Sequence, residues 1–221
     1  MVAVKSGGRK DTVEYLYSKG LNLNERDQIG RTGLHLTADN NNFELFEFLI
    51  SNGVDFKSKS NMGETAFLLA ASKGSKRLVE YLIEKGVDIN EVDNNNQNAL
   101  MLMAERNYAN LAQYLIDKGI DLNHQDNNGQ NALQIALNFG SIELSRLLIE
   151  NGINVNSKDN EGKTALLNYN LNKEIIELLL EKGADINSRD NDGKSALLYV
   201  NDKDLAELLI KKGIQRILIN I

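Results

Sequence analysis

Glycine returns along this chain at a nearly fixed interval, and that interval limits the fold more than any other feature. Gly20, Gly53, Gly86, Gly119, Gly152, Gly183 and Gly213 are separated by 33, 33, 33, 33, 31 and 30 positions. Equal steps of this kind mean one unit written repeatedly, and a period of about 20–50 residues means an array of stacked units. The phrases between the glycines recur too. Val87-Asp88-Ile89-Asn90, Ile120-Asp121-Leu122-Asn123 and Ala184-Asp185-Ile186-Asn187 are one phrase, and Thr65-Ala66-Phe67, Thr164-Ala165-Leu166 and Ser195-Ala196-Leu197 are another. The unit is plainest from Gly119 to Asn151. An alternating apolar/polar run leads to the polar turn Asp126-Asn127-Asn128-Gly129. A capping Asn131, a short apolar helix pattern, a break at Gly140 and a longer helix pattern to Glu150 complete it.

Each short helix is expected to start at a side-chain cap, Thr32, Thr65, Asn98 or Asn131. Such an oxygen accepts from an otherwise unpaired amide of the first turn and contributes about 1 kcal/mol. The longer helices carry an apolar stripe at spacings of three and four: Leu45, Phe48, Leu49, then Leu78, Tyr81, Leu82, then Leu111, Tyr114, Leu115. Gly53, Gly86, Gly119 and Gly152 end them, where a left-handed stop favours glycine. One unit cannot bury its apolar face, so its neighbours must cover it.

A 33-residue period of a turn followed by two helices resembles the ankyrin-repeat family, from about Val4 to Gly213. The resemblance implies an all-α ankyrin-repeat solenoid, with a β-hairpin or turn plus two antiparallel helices per repeat, stacked linearly. The family favours Thr-Pro-Leu-His at the head of the first helix. Here proline is absent from the whole chain, and Gly33, Ala66, Ala99, Ala132, Ala165 and Ala196 stand in its place. Alanine forms helix well and loses only the preset φ of proline. Only His35 keeps the histidine, which in the family bonds backbone near the first helix.

The expected layout is a single ankyrin-repeat domain over residues 1–221. Residues 1–26 form a partial repeat or cap. Full repeats follow at 27–59, 60–92, 93–125 and 126–158, then shortened ones at 159–189 and 190–213, and a tail at 214–221. The shortening has a definite place. From capping residue to the first core position of the second helix, Asn131 to Leu144 spans 13 positions, Thr164 to Ile175 spans 11 and Ser195 to Leu205 spans 10. The first helix there is therefore expected to be shorter by about half a turn or more. Asn170, Asn172 and Asn201 replace the glycine break, as asparagine also tolerates the left-handed conformation. The tail from Ile214 to Ile221 is apolar and β-prone, expected as a fold-over cap or an exposed strand.

Chemistry is sparsely provided for. There are no cysteines, so disulfides and thiolate zinc sites are excluded. Gly162-Lys163-Thr164 and Gly193-Lys194-Ser195 look like the end of a P-loop, but Ser157 and Ser188 hold its first glycine position. The same frame reads Gly30-Arg31-Thr32 and Gly63-Glu64-Thr65 elsewhere, variation that a phosphate cradle would not allow. Asp190-Asn191-Asp192-Gly193 resembles part of a calcium loop, yet Ser188 and Tyr199 fall where acidic ligands belong. His35 and His124 stand nearly three repeats apart and cannot converge in a linear stack. No catalytic residue, metal or cofactor is expected. A net charge of −6 argues against a broad nucleic-acid footprint. No apolar run approaches the roughly 20 residues of a membrane helix, and the first residues lack a signal-peptide layout. A cytoplasmic monomer is expected.

Binding remains. In proteins similar to this one, partners are gripped by hairpin tips and by the exposed, concave side of the first helices. Carried over by position, the tips are Gln28, Ile29 and Arg31; Lys59, Asn61, Met62 and Glu64; Val92, Asn94, Asn95 and Gln97; and Gln125, Asn127, Asn128 and Gln130. Lys158, Glu161 and Lys163 follow, then Arg189, Asp192 and Lys194. The groove contributes Asp39 and Asn40, Ser72 and Lys73, Glu105 and Arg106, and Asn138 and Phe139. These positions differ between copies while the frame stays fixed. Ile29, Met62, Val92 and Phe139 are apolar at positions expected to be exposed, as anchors are. The function expected is a non-enzymatic scaffold for a protein or peptide partner. The alternative is a recognition module cut from a larger enzyme or effector, motivated by the abrupt start at Val2–Lys5.

Overall fold

The computed structural model describes residues 9–200 and 202–214. The start at Val2–Lys5, Asn201 and the tail beyond Ile214 lie outside them. Helices appear in pairs: α1 (Lys10–Ser18), α2 (Gly33–Asp39) with α3 (Phe43–Ser51), α4 (Ala66–Ser72) with α5 (Lys76–Glu84), and α6 (Ala99–Ala104) with α7 (Ala109–Asp117). Then come α8 (Ala132–Asn138) with α9 (Ile142–Glu150), α10 (Lys173–Glu181), a 3-10 turn at Ala196–Leu198, and α11 (Lys203–Lys211). The described residues contain no strand, only an isolated bridge between Arg189 and Ser195. The chain divides into two compact units, Met1–Met103 and Ala104–Ile221.

In the N-terminal unit α2 packs on α3 and α4, and α4 on α5; in the C-terminal unit α9 packs on α7, α8 and α10. The buried stripe differs by one position from the expected spacing. Leu45, Leu49, Leu78, Leu82, Leu111 and Leu115 are buried, but Phe46, Val79 and Ala112 complete the stripe. Phe48, Tyr81 and Tyr114 lie half-buried at its edge. Their rings are long enough to close that edge: Tyr17 meets Phe48 edge-on at 6.0 Å, and Phe43 meets Tyr81 at 5.4 Å.

Three of the four expected caps bond a helix amide, while the Thr32 hydroxyl lies 2.9 Å from His35 Nδ1. Thr65 Oγ1 accepts from the Leu68 amide at 3.2 Å, Asn98 Oδ1 from Met101 at 3.2 Å and Asn131 Oδ1 from Gln134 at 3.0 Å. His35 does two jobs. Its Nδ1 accepts from the Thr32 amide at 3.1 Å, so its Nε2 carries the proton and donates to the Glu64 carbonyl at 2.9 Å. Burial pushes its pKa below the ordinary histidine value, which suits a ring that must stay neutral to accept. Gln134 fills the corresponding position and repeats both bonds. Its Oε1 accepts from the Asn131 amide at 3.0 Å and its Nε2 donates to the Lys163 carbonyl at 2.7 Å. The amide of glutamine offers one acceptor and one donor at nearly the separation of the two imidazole nitrogens.

Between Thr164 and Asn172 no first helix forms. A bond from the Leu167 amide to the Thr164 carbonyl at 2.9 Å closes one turn, and Ala196–Leu198 manages only a 3-10 turn. The missing residues cost the whole helix, because a segment this short cannot offset the cost of its nucleus. The left-handed asparagines also lie elsewhere than expected. Asn41 (φ +51°) and Asn107 (φ +58°) make the inter-helix break that Gly74 and Gly140 make in neighbouring copies. Asn172 instead caps α10, accepting from the Ile175 amide at 2.8 Å. Asn170 Nδ2 donates to the carbonyls of Leu137 and Asn138 at 3.1 and 2.9 Å.

Candidate partner-binding site

Each hairpin tip is closed by its own first side chain. The Asp27 amide donates to the Arg31 carbonyl at 2.9 Å, and the Gly30 amide donates back to the Asp27 carbonyl at 2.9 Å. Asp27 Oδ1 then accepts from the amides of Ile29 and Arg31 at 3.1 and 2.9 Å. Burial raises the pKa of this carboxyl, but the Arg31 guanidinium and the two amides outweigh it and hold it below the ordinary range. Asp126, Asp159 and Asp190 repeat the arrangement. At the second tip the Ser60 hydroxyl replaces the carboxylate, accepting from Met62 and Glu64 at 3.2 and 3.3 Å.

Successive tips are bonded backbone to backbone. In the N-terminal unit Asn61 donates its amide to the Ile29 carbonyl at 2.9 Å, and Asn94 to Met62 at 3.0 Å. In the C-terminal unit Asn160 donates to Asn128 and Asn191 to Glu161, each at 2.9 Å. Asparagine side chains double the ladder: Asn94 Nδ2 reaches the Asn61 carbonyl at 2.9 Å, and Asn160 and Asn191 reach those of Asn127 and Asn160 at 3.0 Å. This contact dictates the tip glycine. Gly63 has φ +77°, and a Cβ there would lie 2.3 Å from Asn94 Oδ1.

The structure divides the sequence-selected residues by occupation. Lys59, Gln125 and Lys158 act as struts between tips. Lys59 Nζ donates to the Val92 carbonyl at 2.8 Å, Gln125 Nε2 to Lys158 at 3.0 Å and Lys158 Nζ to Arg189 at 3.2 Å. Arg31 pairs with Asp27 at 3.0 Å, Lys73 with Asp39 at 2.8 Å and Lys163 with Glu161 at 2.5 Å. The Lys73–Asp39 and Lys163–Glu161 pairs are more exposed and worth about 0–1 kcal/mol each, whereas Arg31–Asp27 is largely buried within the tip. Glu64 accepts from the Ser60 hydroxyl at 3.2 Å, and Asn138 Oδ1 accepts from Asn168 at 2.7 Å. Val92, Gln97 and Gln130 are half-buried, while Glu105 and Arg106 are exposed. Ile29, Met62 and Phe139 stand out, at 44%, 56% and 57% exposure. The tip ladder brings Ile29 and Met62 onto adjacent tips. The lysines of the two P-loop look-alikes are held by their own hairpins, Lys163 by Glu161 and Lys194 by Asp192 at 2.8 Å.

Where the helix after Thr164 is missing, a cleft of about 270 Å³ opens, lined in part by Gln130, Asn138, Lys163, Tyr169 and Tyr199. The Tyr199 hydroxyl donates to the Asp190 carboxylate at 2.6 Å, and its ring lies 4.8 Å from that of Tyr169. Burial and that carboxylate push the Tyr199 pKa well up, so the phenol keeps its proton. Tyr169 is 62% exposed. Sequence reasoning did not single out Tyr169; the length deficit was visible, but not that losing the helix would uncover this ring.

The comparisons agree with this geometry. A family model for ankyrin repeats in three copies matches residues 1–93 and 88–159, and a single ankyrin-repeat model matches residues 161–191. Among solved structures, the human ASB11 ankyrin repeat domain is similar at 21% identity and TM-score 0.82, with 97% of each chain covered. An ankyrin repeat domain from Acinetobacter baumannii AYE is similar at 27% identity and TM-score 0.73, covering 83% of this chain and 97% of that one. The ankyrin repeat domain of Bcl-3, of the IkappaB protein family, is similar at 22% identity and TM-score 0.75, covering 95% and 96%. No curated protein sequence matches the chain. No helix among the described residues is long and apolar enough to cross a membrane. With the repeating frame, the bonded tips and the models matching most of its length, the chain belongs to the ankyrin-repeat family.

Proposed function

We propose that the chain is a non-enzymatic scaffold that holds a protein or peptide partner on its hairpin tips and on the exposed side of its first helices. Ankyrin repeats are generally protein–protein interaction modules. The carrying observation is the contrast at the tips, where the backbone is bonded to its neighbours but Ile29 and Met62 leave large apolar side chains in water. A surface fixed before binding loses little conformational entropy when a partner arrives. The non-enzymatic reading is supported by His35, whose two ring nitrogens are both committed to backbone groups. We further propose a cytosolic location, where a chain free of cysteine needs no disulfide, and a monomeric state.

The test uses the partner captured from native lysate. Met62→Ala and Phe139→Ala are each expected to weaken its binding about tenfold, with the helical circular dichroism unchanged. Retention of the partner by the double variant, or a loss of helix that matches the loss of binding, would contradict the reading.

A further inference from the structure

The C-terminal unit carries a second kind of site, beside the turn that stands where a first helix is missing after Thr164. The cleft over residues 164–170, about 270 Å³ by itself, has room for one side chain at its deep end. It continues into a neighbouring hollow, and together they are bordered by the carboxylates of Asp159, Glu161, Asp190 and Asp192 but only the ammonium groups of Lys163 and Lys194. The excess is negative. The aromatic wall already attracts a cation, since Lys163 Nζ lies 5.7 Å from the centroid of the Tyr199 ring. Tyr169, tilted 46° to Tyr199, presents the open ring. Thr164 lines the same cleft, is 4% exposed, and its hydroxyl has no hydrogen-bond partner among the described residues.

We propose that this cleft receives an arginine side chain from the partner, its guanidinium stacked on Tyr169 and held by the surrounding carboxylates. The inference rests on the scaffold reading and names the chemistry of what is held, a basic segment bearing arginine. Arginine suits the site better than lysine. Its planar guanidinium can stack on a ring while donating in its own plane. Acceptors lining the cleft include the side-chain carbonyl of Gln130 and Glu161, whose exposed pair with Lys163 would have to be shared.

The experiment titrates the full chain with acetyl-Gly-Arg-Gly-amide, its lysine counterpart and its citrulline counterpart, following backbone amide shifts by NMR. Saturable shifts are expected at Lys163, Asn168 and Tyr169 with the arginine probe. The citrulline probe, isosteric but neutral, should bind about tenfold more weakly. Tyr169→Ala should remove the shifts, Tyr169→Phe should keep them, and Glu161→Gln should weaken them. Tyr169 is exposed, so its variants are expected to fold. Equal binding of arginine and citrulline, an unchanged titration in Tyr169→Ala, or shifts spread evenly over every acidic hairpin would overturn the proposal. So would tighter binding of a phosphoserine peptide included as an anionic probe. Met62→Ala should leave the arginine titration untouched. Failure of the cleft and failure of the tip surface are thus read separately.

Discussion

Replacing Gly129 with alanine is expected to lower stability by about 2–5 kcal/mol, read from the urea midpoint at constant slope. Two costs add. The residue has φ +73°, a conformation that costs an L-amino acid about 1–2 kcal/mol. The new Cβ would also lie 2.7 Å from Asn160 Oδ1 and 2.9 Å from Asn160 N. Asn160 would have to withdraw, and its amide bond to Asn128 and side-chain bond to Asn127 would stretch with it. Gly193 supplies the control. It has nearly the same backbone, φ +78°, but among the described residues nothing lies within 4 Å of a Cβ there. Gly193→Ala should therefore cost only the backbone share, about 1–2 kcal/mol. Equal losses in the two variants would mean that tips do not press on one another.

Phe67→Ala is expected to cost about 3–5 kcal/mol, the range for an aromatic ring removed from a closed core. Phe67 is wholly buried in α4, which packs on both α2 and α5. Met62, five positions earlier, sits on the tip with most of its side chain in water. Met62→Ala should change stability by no more than about 0.5 kcal/mol. Comparing the urea midpoints of the two variants separates frame from rim within one copy of the repeat. A small loss at Phe67 would mean that neighbouring helices do not close over it.

Much of this architecture could be read in advance, because repetition turns one chain into several trials of the same problem. Positions that keep their chemistry between copies, the left-handed tip residue (glycine, or Asn96 once) and the polar cap (Thr65, Asn131), are those the structure uses for closure. The exposure of Ile29, Met62 and Phe139 follows from the same contrast. Four things are hidden in the sequence. The edge aromatics Phe48, Tyr81 and Tyr114 looked like core because periodicity reports a face but not how deep each position lies. The shortened segment after Thr164 kept an apolar pattern, Ala165-Leu166-Leu167, that gives no sign of whether one more turn is affordable. Gln134 shares no chemistry class with His35, and its double bond pattern emerges only when both amide atoms have found their partners. The struts Lys59, Gln125 and Lys158 read as partner contacts from the sequence for a similar reason. Their partners are backbone carbonyls of the next tip, which a sequence does not display.

Native-state amide exchange at Asn61, Asn94, Asn160 and Asn191 tests the central claim most directly. These amides lie in exposed turns yet each donates to a carbonyl of the preceding tip. If the tips form a rigid, pre-bonded rim, the four amides should exchange as slowly as those in the middle of α5 and α9. Exchange at the rate of an unstructured loop would show that the rim is not fixed before a partner binds.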